Sequence, residues 1–447
     1  MSPSPPSRSR REFLVLAGVA VAGVSGCASV PNGPLPPVAV RVRTRQLSTP
    51  SVETTVPVLE SHVDAYRARL ERAVPAAERR WDDVDSADLP DFPAYTRDDV
   101  EEARAFLDEL DARPRNSDTV DEAKWRVEQA AGALAYAEAL DGSFDAEALY
   151  EEARGTVETF ESLSVDHACA DPARYLPYAH RVDRQRWWGR RGADAVVPGG
   201  EVRSGADRST EEGTASLAGQ HAKARARLLD VRQYRAVARK RPLGGGDSGD
   251  DDSDDDGAAG SDRRPFAATL VRNVADLVAG LDPLVARFET FEEEHEAYPD
   301  SFADGVWSRG MRGRNETGEG AYRARNGYPA FGASKAAEGF VHVHAFVDAM
   351  ETLDPESPPG ADAVFEEKRA ARRALRERLD TNPSPFVRDH LRHALAATES
   401  GDITLKYFGR HDDVDPARTY TEAWVDYHAA RVAAARADEV EAVLTRR

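Results

Sequence analysis

Apolar side chains recurring alternately four and three residues apart are the feature that most narrows the fold. Leu270, Val274, Leu277, Leu281, Leu284, Phe288, Phe291, His295 and Tyr298 form one such run. The spacing puts a single apolar stripe on one helix face, which must be buried against another helix. Ala336, Phe340, Val343, Val347 and Met350 repeat the pattern, as do Phe365, Lys368, Leu375 and Leu379, then Val387, Leu391 and Leu395. A last helix is expected from about 419 to 444. Upstream, Leu59, Val63, Tyr66, Leu70, Ala77 and Trp81 share a stripe that Pro75 should kink or break. Thr96 with Asp99 reads as a capping pair before Val100, Ala103, Leu107 and Leu110. Val120, Val127, Leu134 and Ala137 continue to a stop at Gly142, and further helices fit Phe144–Leu163 and Leu217–Val237. The period-two alternation of strands is almost missing. The expected fold is therefore all-α, built of helical bundles.

Composition divides the chain. Gly244-Gly245-Gly246 is followed by seven aspartates between Asp247 and Asp256, so residues 242–264 read as a self-repelling linker. On either side lie helical regions 58–241 and 265–447. Asp171-Pro172-Ala173-Arg174 is echoed by Asp415-Pro416-Ala417-Arg418, and His221-Ala222 by His428-Ala429. These echoes leave open whether the halves are a duplication. Residues 27–57, with Pro31, Pro34, Pro36, Pro37, Pro50 and Pro57, read as an extended tether, with at most an isolated strand at Val38, Val40 and Val42.

The net charge of −20 makes nucleic acid an unfavourable partner. A hydrophobic share of 41% excludes a polytopic membrane protein. Of the 59 basic residues six are lysines, and Ile403 is the lone isoleucine. An acid-rich, lysine-poor surface suits concentrated salt, where repulsion between carboxylates is screened within a few ångströms.

The amino-terminal segment carries an address. Ser9-Arg10-Arg11-Glu12-Phe13-Leu14 leads into an apolar run from Phe13 to Val24, which closes on Val24-Ser25-Gly26-Cys27. That run falls short of the roughly 20 residues needed to span a bilayer and has the length of a signal-peptide core. The segment resembles the twin-arginine signal of exported lipoproteins of halophilic archaea: the Arg10-Arg11 pair, Phe13, Leu14 and the lipobox ending at Cys27 carry the match. The resemblance implies cleavage after residue 26, a lipid on Cys27, export of a folded domain, and residence on the outer face of the cytoplasmic membrane. With Cys27 lipidated, Cys169 has no partner for a disulfide inside the chain and is expected to be a small buried core residue.

Chemical motifs are sparse. His342 and His344 are two apart and diverge on a helix. His390 and His393, three apart, have the spacing to share a metal with Asp389 or Glu399, but no third ligand arrives at a diagnostic spacing, so a solvated or capping role is expected. Asp252, Asp254, Asp256 and Gly257 open like a calcium loop, yet Arg263 occupies the position of its bidentate glutamate. Without a P-loop, a glycine-rich strand–turn–helix motif or a Gly-x-Ser-x-Gly elbow, no cofactor and no metal are expected.

Two segments stand out against the acidity. Tyr175–Arg191 carries Arg186, Trp187, Trp188, Arg190 and Arg191; Trp307–Phe331 carries Arg312 and Arg314 among glycines. Guanidinium forks beside aromatic faces hold carboxylates, phosphates or sulfated sugars, although such arginines also bridge a protein's own carboxylates. Asn315-Glu316-Thr317 is an N-glycosylation sequon, read as lying in an exposed loop. The expectation is a membrane-anchored helical binding or envelope-structural module, taking a cell-surface glycan, a protein or an anionic ligand. The alternative is an extracytoplasmic enzyme with its site in these loops, which titratable groups with shifted pKa in one pocket would favour.

Overall fold

Helix starts are written locally in this chain, and the structure uses them. Thr96 and Asp99 form a reciprocal capping box, with the Thr96 amide donating to Asp99 Oδ2 at 2.7 Å. Asn116 accepts from the Thr119 amide at 3.0 Å, and Asp145 from the Ala148 amide at 2.9 Å. The echoed Asp-Pro pairs are two further caps: Asp171 accepts from the Ala173 amide and Asp415 from the Ala417 amide, each with proline in the first helical turn. This resemblance between the halves therefore has a local cause.

The computed structural model describes residues 40, 44–50, 52, 58–85, 89, 93, 95–163, 165, 167–240, 264–407 and 415–447. The expected signal segment, with Arg10, Arg11 and Cys27, and most of the expected linker lie outside them. In the first half the described residues form α1 (Glu60–Trp81), α2 (Arg97–Glu109), α3 (Ser117–Leu140), α4 (Ala146–Ser162), α5 (Pro172–Asp194) and α6 (Glu211–Lys240). The second half contains α7 (Ala267–Glu293), α8 (Asp300–Arg325), α9 (Pro329–Thr352), α10 (Ala361–Asp380), α11 (Pro385–Tyr407), α12 (Pro416–Ala435) and α13 (Ala437–Leu444). The fold is all-α. Its single described sheet pairs β1 (Ala168–Cys169) with β2 (Arg264–Pro265), antiparallel, and so joins the two halves. No helix of the described residues is long and apolar enough to cross a membrane.

Helical backbone corrects the expected isolated strand and, of the two alternatives at Pro75, the break. Pro75 sits inside a continuous α1. Val40 and Thr44 are helical rather than strand, and they are not a free tether. Val40 is buried in the second half's core, and Lys368 Nζ donates to the Thr44 carbonyl at 2.9 Å.

Each half has its own main core. Tyr66, Leu70, Val74, Trp81, Phe106 and Tyr136 anchor the first. The α7 stripe buries Leu270, Val274, Leu277, Leu281, Phe288 and Phe291 in the second, as its spacing requires, whereas His295 and Tyr298 fall beyond the helix. The division is not clean: Tyr175, Leu176 and Ala179 of α5 and the buried Cys169 belong to the second core. Helix α5 thus belongs to both halves and defines their seam.

Gly310, Gly313 and Gly320 of the Trp307–Phe331 segment serve helix packing, while Gly327 at φ 85° forms the turn before α9. A Cβ at Gly320 would lie 2.7 Å from the Ala336 amide nitrogen, and one at Gly339 2.7 Å from that of Thr317. Only glycine lets the backbones of α8 and α9 approach this closely.

Candidate functional site

The two arginine-rich segments were expected as loops; they are helices α5 and α8 with the start of α9. They do meet across the seam. Trp187 stands edge-on to Tyr328 at 5.2 Å and to Tyr322 at 6.1 Å, with Arg191 and Arg323 over its ring. The guanidinium groups are turned toward the protein itself. Arg186 donates to the carbonyls of Leu163 and Gly327, and Arg190 pairs with Glu161 and Glu201. Arg312 bridges Glu316 and Glu338, and Arg314 pairs with Glu292. Trp188 keeps 43% of its surface exposed. The sequon lies within α8 rather than in a loop: Asn315 is exposed, but Thr317 is buried and its Oγ1 donates to the Gly313 carbonyl at 2.7 Å.

A pocket lies beside this ladder, also on the seam. Leu176, Pro177 and His180 of α5 form one wall, Ala330, Ala333, Ser334 and Ala337 of α9 another, and Phe386, Asp389, His390 and His393 of α11 the third. Local structure aims each wall. Asp183 of α5, fully buried, accepts from the Ala330 amide at 2.9 Å and caps α9 across the seam. Ser384 Oγ accepts from the Val387 amide at 3.1 Å and starts α11 just ahead of Asp389. From there Asp389 and His393, four apart, and His390 and His393, three apart, are neighbours on the surface of α11.

Inside the pocket His180 stacks on Phe331 and His390 on Phe386. His180 Nδ1 faces Asp389 Oδ2 at 3.6 Å, while Arg392 reaches the other carboxylate oxygen at 3.5 Å. The rings of His390 and His393 are 5.4 Å apart. His390 is 3% exposed, and neither of its ring nitrogens has a hydrogen-bond partner. Leaving such groups desolvated and unpaired costs about 1–3 kcal/mol. Burial pushes His180 and His393 below the usual imidazole range and His390 down to about 3. Against the opposing effect of burial, the His180 ring at 3.6 Å, then the charges of Arg181 and Arg392, hold Asp389 below the carboxylate range.

Behind His393 lies a second group. Glu316 of α8 with Glu338 and His342 of α9 bring donor atoms within 4.8 Å of one another. Arg312 donates to Glu316 at 2.9 Å and to Glu338 at 2.7 Å, and Lys335 Nζ to Glu338 at 2.6 Å. Arg309, paired with Asp426, approaches His342 Nδ1 at 3.4 Å. Burial and the charge of Glu338 raise Glu316 to about 8. Glu338 is held low, against its burial, by His393 and Lys335. Arg312 and Lys335 already balance both carboxylates, and a donor at Nδ1 leaves the ring proton of neutral His342 on Nε2, the nitrogen facing Glu316. The group is an ion-pair network in which Glu316 Oε2 and Arg309 Nε are left buried without a hydrogen-bond partner.

The expectation of a solvated or capping role is overturned for His390 by its burial; His393 is half-buried beside it. His342 and His344 do diverge, the first into the ion-pair group and the second against Phe340 at 4.4 Å. His180 and Ser334 passed without remark in the sequence; His180 lies within the singled-out Tyr175–Arg191 segment, but nothing there pairs α5 with α11.

Residues 61–245 match a family model described as a domain of unknown function (DUF8262), and residues 267–446 match another, also of unknown function (DUF8264). The two halves therefore match different models, on either side of the aspartate-rich segment. No curated protein and no solved structure matches the chain.

Proposed function

We propose that this chain is an exported helical lipoprotein, held by a lipid on Cys27 to the outer face of the cytoplasmic membrane, that binds a small ligand in the pocket between its halves. The address rests on Arg10-Arg11, the apolar run and the lipobox; the acidic surface fits a halophilic setting. One observation carries the binding reading: buried His390, with two unpartnered ring nitrogens, lines a pocket whose walls come from both halves. A structural spacer has no use for such a group. The occupied state of Arg186, Arg190, Arg312 and Arg314 moves the ligand seat away from those arginines, though Trp187, Trp188 and Arg191 remain on the neighbouring surface.

Two experiments test the two parts. Cys27→Ser should release the protein from the membrane fraction, and Arg10→Lys with Arg11→Lys should retain it in the cytoplasm; a membrane-bound C27S chain refutes the anchor. Ala337→Leu fills the pocket. Saturation-transfer signals from a fragment library should appear with the full chain and vanish in A337L, and signals that persist put the seat elsewhere.

A second reading is favoured by Glu316 and Glu338, one proton-holding and one ionised, close behind His393. Carboxyl groups with pKa values pushed apart can serve as an acid–base pair. An enzyme using them would lose turnover in E316Q while keeping fragment binding.

A further inference from the structure

We propose that the outer surface of the seam is a second binding site, for an acidic polysaccharide seated on Trp188 and Tyr322 and held by Arg184, Arg191 and Arg325. The site is independent of the pocket and takes a different class of ligand, a chain of sugars bearing carboxylate or sulfate groups.

Helical spacing assembles the surface. Arg184, Trp188 and Arg191 stand at i, i+4 and i+7 and share one face of α5. Tyr322 and Arg325, three apart, lie in the last turn of α8. Trp187 joins the two strips: its ring meets Tyr322 at 6.1 Å and carries Arg191 at 5.2 Å. Trp188 and Tyr322 are two of the five large apolar side chains exposed among the described residues. Apolar surface left in water and rimmed by polar groups marks an interaction site.

The charge here runs against that of the chain. Among the described residues no carboxylate pairs with the guanidinium of Arg184, Arg191 or Arg325. The acids close by are already engaged, Glu319 with Arg323 at 2.6 Å and Glu161 and Glu201 with Arg190. Arg191 and Arg323 both lie over the Trp187 ring, so two cations share one indole. A protein of net charge −20 thus carries a basic, aromatic surface where its halves meet.

Those two properties select the ligand. A guanidinium fork takes a carboxylate or sulfate through two parallel hydrogen bonds, and an aromatic face packs the apolar C–H side of a sugar ring. A free inorganic anion leaves the exposed rings unused, and a neutral sugar leaves the arginines unused. Arg184 and Arg191 are about 10 Å apart along α5, further than one sugar ring spans, so the ligand is a chain. At 1 M salt the screening length is about 3 Å. Contact pairs and ring packing therefore carry the affinity, which should change little as salt rises.

Polygalacturonate and dextran sulfate are the probes, coupled to beads, with neutral dextran and polyglutamate as comparison polymers. At least one acidic polysaccharide should deplete the full chain from detergent and concentrated salt, while dextran and polyglutamate should not. Trp188→Ala, Tyr322→Ala and Arg191→Ala should each weaken binding about tenfold, whereas W125A, at an exposed tryptophan of α3, should not. Arg184→Ala, at an exposed side chain, serves as a further variant should any of the three fail to fold. Depletion by neither acidic polysaccharide, or depletion unchanged in every variant, overturns the proposal. Equal depletion by dextran overturns it by removing the arginines, and equal depletion by polyglutamate overturns it by making the surface an acidic-peptide site. A steep loss of binding with added salt also overturns it, as unspecific attraction of a polyanion.

Discussion

Each half of this protein brings a lysine, an aspartate and a tyrosine together, and the two clusters are sealed differently. In the first half Lys124 Nζ meets Asp230 at 2.6 Å, with Tyr66 and His62 on its other oxygen at 2.7 and 2.8 Å. Asp230 is fully buried. In the second half Lys368 and Tyr427 both reach Asp402 at 2.6 Å, but the Asp402 side chain is 36% exposed. There the remaining donor capacity of the ammonium goes to the Thr44 carbonyl, from the segment ahead of α1. Two of only six lysines in an arginine-rich chain occupy these places. A compact ammonium is satisfied by a few acceptors, whereas a guanidinium would bring five donors into a space that cannot partner them. The comparison teaches that similar side chains act as an internal rivet in one half and as a clasp for the segment at Thr44 in the other.

The sharpest way to break this contrast is to remove the cations. Lys124→Met strands a buried carboxylate and should cost about 3–5 kcal/mol in denaturant unfolding in concentrated salt. Lys368→Met lets Asp402 rehydrate, so about 1–2 kcal/mol is expected, together with faster proteolysis between residues 44 and 58. Equal costs in the two variants would show that exposure does not decide the difference.

Acid and base separate the halves next. His221 of α6, beside Thr156, Glu152, Arg225 and Arg69, is pushed by burial from 6.5 to about 4. Its neutral form is the folded one, so its contribution is full above pH 6.5 and lost as pH falls toward 4, about 2–3 kcal/mol when fully expressed. Glu316 is displaced the other way, from 4.5 to about 8. Its contribution is full below pH 4.5 and lost as pH rises through 8. Hydrogen exchange should therefore show α6 weakening in acid and α8 weakening in base; the reverse assignment would contradict the burial of these two groups.

The smallest effects test the echo between the halves. Asp171→Ala and Asp415→Ala each remove an N-cap and should each cost about 1 kcal/mol by thermal unfolding. Matching values sharpen the view that the repeated Asp-Pro is helix-start chemistry, whereas a much larger loss at Asp171 would tie that cap to α5's place in both cores.

Much of the fold is legible residue by residue. The α7 stripe from Leu270 to Phe291, the Thr96–Asp99 box and the buried Cys169 stand where spacing and capping chemistry place them. The stop after α3 does too, because Gly142 at φ 73° adopts the left-handed conformation that ends a helix. Harder to read were Gly313 and Gly320, which lie in a segment that resembles a loop in composition and become a close helix contact through pairing with α9. Pro75 likewise stays inside α1 because tertiary packing outweighs local preference.

Helical periodicity and capping are short-range properties, carried by residues three or four apart, so the sequence by itself determined an all-α chain in two halves. The amino-terminal pattern and the acid excess, equally local, define its expected address and solvent. The pocket has another origin. His180 and His390 are separated by 210 residues, and no periodicity links α5 to α11; only the packing of α5 onto the second core brings His180 opposite Asp389 and encloses His390 without a partner. For that reason two histidines that looked solvated at three-residue spacing line the pocket, and the histidine opposite them comes from the other half of the chain.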